Sequence, residues 1–122
     1  MPDIKRLGTL VDRLRELSKE NKVPWMETPE DGVFQASLKG GLVTIADEAA
    51  GYPYGEQIFR YAIRFFDTSG TLLDRATVSD FPENYKFAGG KSPFEALSEL
   101  HDQARRKALK VEEALDELLK SL

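Results

Sequence analysis

The chain has no cysteine and only one histidine, His101, in 122 residues. Without thiols, disulfides, thiolate catalysis, cysteine zinc sites and iron–sulfur clusters are excluded. A single histidine also excludes a multi-histidine metal site within one chain. Long apolar runs are missing too: no stretch approaches the ~20 residues that a membrane-spanning helix needs. The opening residues, Met1 to Arg6, carry charge with no apolar segment behind it, unlike a signal peptide. No membrane association is expected, and the expected location is cytoplasmic. Charge of one sign is in modest excess, with 17 basic and 21 acidic residues and a net charge of -4. Such a field repels nucleic acid at long range, so a nucleic-acid partner would need a local basic patch.

What is present suits a packed core. Apolar residues make up 41% and charged residues 31%, far from a disordered composition. A chain of this size buries roughly two-thirds of its unfolded surface, so one domain over 1–122 is expected. Residues 3 to about 21 repeat Ile4, Leu7, Leu10, Val11, Leu14 and Leu17 at spacings of three and four. That is a helix, with Asp3 as N-cap and Asn21 and Pro24 at its end. Residues 23–32 read as a link. The period then changes to two: Phe34, Ala36 and Leu38 alternate with Gln35, Ser37 and Lys39, and Leu42 to Ala46 return. A two-residue turn at Gly40-Gly41 would place Leu38 opposite Val43 and Ala36 opposite Ile45.

Residues 48–56 read as a loop. A third strand over about 57–67 puts Phe59, Tyr61, Ile63 and Phe65 on one face. A fourth over about 71–79 carries Leu72, Ala76 and Val78. A plain four-residue loop would set Asp74 opposite buried Ile63, so a bulge or a longer loop is required. After an irregular stretch over 80–91, Ser92-Pro93-Phe94-Glu95 marks a helix start, with N-cap, proline and capping box in place. The apolar pattern from Leu97 to Leu122 would continue that helix for about 30 residues, or roughly 45 Å. Such a helix either projects onto a partner or breaks near Leu109-Lys110. No glycine or proline marks a break, so a continuous helix is expected. The expected fold is α+β: a two-layer sandwich of an N-terminal helix, a four-stranded antiparallel meander and a long C-terminal helix.

Chemistry is sparse. His101 sits one position off the leucine stripe and reads as a surface or flank residue, with no nucleophile placed beside it. The carboxylates Asp47, Glu48, Asp80 and Glu83 lack calcium-loop spacing and read as solvated. Gly89-Gly90-Lys91-Ser92 resembles the tail of a phosphate-binding loop, but Tyr85 stands where the first glycine belongs; a hinge before a capped helix is the plainer reading. No catalytic, cofactor-binding or metal-binding residues are assigned, and a non-catalytic protein is expected.

Binding is better represented. Trp25, Tyr52, Tyr54, Phe81, Tyr85 and Phe87 fall in expected loops, where they either plug the sandwich or recognise a partner. The partner-binding candidates are Trp25, Tyr52, Tyr54, Tyr85 and Phe87, with Leu115 and Leu118 of the last helix. That helix has a basic stretch, Arg105-Arg106-Lys107 and Lys110, followed by an acidic one, Glu112 to Glu117. Asp102–Arg106 and Asp116–Lys120 are spaced to pair. Two copies packed antiparallel would oppose unlike charges, which points to a homodimer and a protein-interaction module. The alternative is anion or nucleic-acid binding through Arg60, Arg64 and Arg75 on the outer sheet face.

Overall fold

A computed structural model describes residues 2–48 and 60–122. The architecture is α+β. Helix α1 (Ile4–Lys19) leads into a short strand β1 (Met26–Glu27). Strands β2 (Val33–Leu38), β3 (Gly41–Asp47), β4 (Tyr61–Phe66) and β5 (Leu72–Thr77) follow. A 3-10 turn (Val78–Asp80) precedes helices α2 (Pro93–Ala108) and α3 (Val111–Lys120). The sheet is antiparallel throughout, in the order β1-β2-β3-β4-β5. It therefore has five strands where four were expected. The extra one is two residues long, too short for alternation to register. Tyr52, Tyr54 and the expected strand start at 57–59 lie outside the described residues. No helix among those described is long and apolar enough to cross a membrane.

The helix ends follow their chemistry. The Asp3 carboxylate accepts from Arg6 N–H at the start of α1. At its end Asn21 is left-handed, and the Asn21 and Lys22 amides donate back to the Ser18 and Leu17 carbonyls. That is a Schellman closure. Ser92 and Glu95 cap α2 reciprocally, as expected, and the Ser92 N–H holds the Glu95 carboxyl below its usual range. The cap occupies the Glu95 amide and the Ser92 N–H at the helix start that follows Gly89-Gly90-Lys91.

The expected continuous C-terminal helix is not found. Lys110 adopts φ 54°, ψ 46°, and the chain restarts as a separate helix, α3. A left-handed residue ends an α-helix whatever its identity, and lysine gives no warning of it.

The hairpin turn is displaced by one residue from the expected one. Leu38 faces Gly41, Ala36 faces Val43 and Phe34 faces Ile45, so the loop is Lys39-Gly40. Each strand partner moves by two, which leaves every side chain on its expected face. Gly41 lies inside β3 because a Cβ there would sit 2.2 Å from the Phe66 carbonyl oxygen, with φ at +148°. Between β4 and β5 the expected irregularity is a bulge. Phe65 faces Asp74 and Phe66 faces Leu72, so Leu73 is extra and Ile63 meets Ala76. Asp74, freed from the core, accepts from Asp3 N–H and ties β5 to the start of α1.

One sheet face carries Phe34, Ala36, Val43, Ile45, Tyr61, Ile63 and Ala76, all buried. Leu7, Val11 and Leu14 of α1 and Ala96, Leu97, Leu100 and Ala104 of α2 complete the same core. The expected inward residue Leu38 is exposed, at the open end of its hairpin. Arg15 is also buried. Its guanidinium donates to Asp12, to Glu99 of α2 and to the Ala88 carbonyl, pinning α1 to α2 and to the loop before it.

Candidate functional site

The loop aromatics divide clearly. Trp25 is 3% exposed and its indole N–H donates to Ser18. Phe81, Tyr85 and Phe87 form a cluster with ring centroids 4.8–5.4 Å apart. Phe81 and Phe87 are buried. Tyr85 is half-buried and lies over Gly8 of α1, where a Cβ would fall 2.0 Å from its hydroxyl. These side chains plug the end of the sandwich. Of the aromatic partner-binding candidates, Trp25 and Phe87 therefore offer no surface in this state, because the core has claimed their apolar area. Tyr85 offers only part of its ring, and Tyr52 and Tyr54 are among the residues not described.

His101 is likewise an interior residue, not a surface one. Its ring lies 5.3 Å from those of both Phe34 and Tyr61, and its Nε2 is 2.8 Å from the Gly32 carbonyl. A carbonyl can only accept, so Nε2 carries the proton. Burial lowers the pKa of this imidazole from the ordinary 6.5; the Gly32 bond and Asp47 oppose that shift, while Arg105 and Arg60 add to it. The arrangement is a hydrogen-bonded core histidine holding α2 against the turn before β2. No nucleophile or substrate cleft adjoins it among the described residues.

The arginine candidates all have partners. Arg60 donates twice to Asp47, at 3.2 Å through both Nε and Nη2, and this bond raises its pKa. Arg64 and Arg75 face each other across β4 and β5, and both donate to the carboxylate of Glu48. No group of three or more acidic or histidine side chains able to hold a metal occurs among the described residues.

Exposed apolar side chains remain at Leu38, Leu72 and Leu73 of the sheet and, most densely, on α3. None of its residues is buried. Val111, Leu115, Leu118 and Leu122 follow one stripe, with Leu119 beside it. Leu115 is 48%, Leu118 63% and Leu119 68% exposed, and Leu122 is fully so. Glu112, Glu113, Asp116 and Glu117 occupy the remaining faces. No known protein family, curated protein or solved structure matches this chain. The surface itself must therefore carry the functional argument.

Where α3 leaves the body, the ends of α1 and α2, β1 and the first turn of α3 enclose an open groove of about 870 Å³. Lys19, Arg106, Lys107 and Lys110 line it, together with Met26, which is 61% exposed. Arg106 turns to Glu112 across the bend, 2.7 Å away, and holds that carboxyl below its usual range. The expected Asp102–Arg106 pair is replaced by Asp102–Arg105, and Asp116–Lys120 by Glu117–Lys120. Three-residue spacing serves a helix as well as four. Leu115 and Leu118, placed on the apolar stripe by the sequence, are both exposed. Leu119, four residues after Leu115, falls on the same face and is exposed as well.

Proposed function

We propose that the chain is a non-catalytic interaction module that self-associates through α3. The observation that carries this is a ten-residue amphipathic helix with no buried residue, whose leucines are 48–68% exposed. A helix this short is marginal alone and gains its stability from packing of its apolar face. No α3 residue is buried by the described residues, and a second molecule would supply that packing. A second copy suits the charge pattern. The basic last turn of α2 (Arg105, Arg106, Lys107) and the acidic first turns of α3 oppose one another when two copies run antiparallel. Charge of this kind orients the pair, and the leucines supply the affinity.

Light scattering over a concentration series tests this. The unmodified chain should reach twice the monomer mass by high micromolar concentration. Leu115→Glu with Leu118→Glu should remain monomeric with unchanged helicity in the rest of the chain, since neither side chain is in the core. A monomer at every concentration sinks the proposal.

A further inference from the structure

We propose that Arg64 and Arg75 form a binding clamp for a single phosphate group, closed in this state by Glu48. The clamp lies on the sheet face away from α1 and α2, and α3 takes no part in it. Gln35, Thr44, Arg64 and Arg75 form one cross-strand row from β2 to β5. Two guanidiniums thus sit side by side at neighbouring register positions. Like charges opposite one another in a sheet are unfavourable unless an anion joins them. Glu48 is that anion: one carboxylate oxygen receives Arg64 Nη2 and the other Arg75 Nη2.

The internal carboxylate fills the clamp incompletely. It brings one negative charge to two positive ones, and Arg60 does not alter that count because Asp47 holds it. Both Glu48 oxygens are already engaged. Thr44, next in the row, is 6% exposed, and its buried hydroxyl has no hydrogen-bond partner among the described residues. A buried hydroxyl without a partner is uncommon and calls for one. A phosphate group answers both deficits. It carries close to two negative charges at neutral pH, and its third oxygen can accept from Thr44 after two have met the arginines. Arg64, Arg75 and Glu48 each keep a quarter to two-fifths of their side-chain surface exposed, so exchange of Glu48 for an outside anion requires no unfolding.

The experiment is calorimetric titration of inorganic phosphate into the full chain and its variants. Glu48→Gln removes an internal competitor and should tighten phosphate binding about tenfold. In that background Arg75→Ala should weaken it about tenfold and Thr44→Val a few-fold, with circular dichroism showing an unchanged fold. Acetate, with only two oxygens and one charge, should bind the Glu48→Gln chain more weakly than phosphate. Glu48→Gln binding no tighter than the unmodified chain overturns the proposal. So does phosphate binding indifferent to Arg75→Ala, which would mark an adventitious ion only. An oligonucleotide that binds far more tightly than phosphate, with a steep salt dependence, would overturn the assignment to a single phosphate group.

Discussion

His101 is the only side chain whose ordinary pKa lies near 6.5. Its burial between Phe34 and Tyr61 therefore has a consequence that can be isolated. The folded state lowers its pKa, so the unfolded chain takes up the proton first as pH falls. The stability tied to the neutral ring is complete above pH 6.5. It is lost progressively as pH falls from there through the lowered folded value. Urea midpoints at pH 7.5 and 5.5 should differ in that direction for the unmodified chain. The difference should largely vanish in His101→Gln, which will be less stable at both pH values. Glycine makes a second residue-scale prediction. Gly41→Ala drives a Cβ into the Phe66 carbonyl and should cost 2 kcal/mol or more in denaturant unfolding, roughly the range for backbone strain in a packed strand. Gly40→Ala meets open space and should stay within about 0.5 kcal/mol. A neutral Gly41→Ala would contradict the observed hairpin register.

At the scale of elements, the two helix ends show what a sequence can and cannot announce. α1 ends on left-handed Asn21 and α2 on left-handed Lys110. Asparagine tolerates that conformation and is a recognised stop; lysine is not, so helix length pointed to a break near Leu109-Lys110 while composition argued against it. Lys110→Gly should relieve the strain and raise the thermal midpoint, by about 1 kcal/mol in stability. Lys110→Ala should leave it nearly unchanged, because alanine meets the same left-handed penalty. The sheet faces were legible because alternation fixes them, and a two-residue error in pairing leaves them intact. The turn position was not, since the Gly40-Gly41 pair does not say which glycine bends and which is pressed against a neighbouring strand. Strand β1 was missed for its length. Buried Arg15 was missed because its anchors, Glu99 and the Ala88 carbonyl, are distant in sequence.

At the scale of the whole molecule, the body is closed and α3 stands apart from it. The core takes in one face each of α1 and α2, the inner face of the sheet, Trp25, Phe81 and Phe87 of the loops and even the single histidine. Exposed leucines also occur on the body, at Leu38, Leu72 and Leu73, but α3 is the one described helix with no buried residue. The apolar pattern over 97–122 was expected as one helix too long for a single domain, with a break near Leu109-Lys110 as the alternative; the structure has the break, and α3 beyond it is exposed. Among the described residues only its first turn is tied to the body, through Arg106–Glu112, so slowed exchange in the rest of α3 would report on a partner.

Amide hydrogen exchange across 111–120, followed as protein concentration rises, is the most direct test of self-association through this helix. Exchange in α3 should slow by an order of magnitude or more between low and high micromolar concentration, while exchange in β3 and β4 stays constant. An α3 that exchanges freely at every concentration would contradict it.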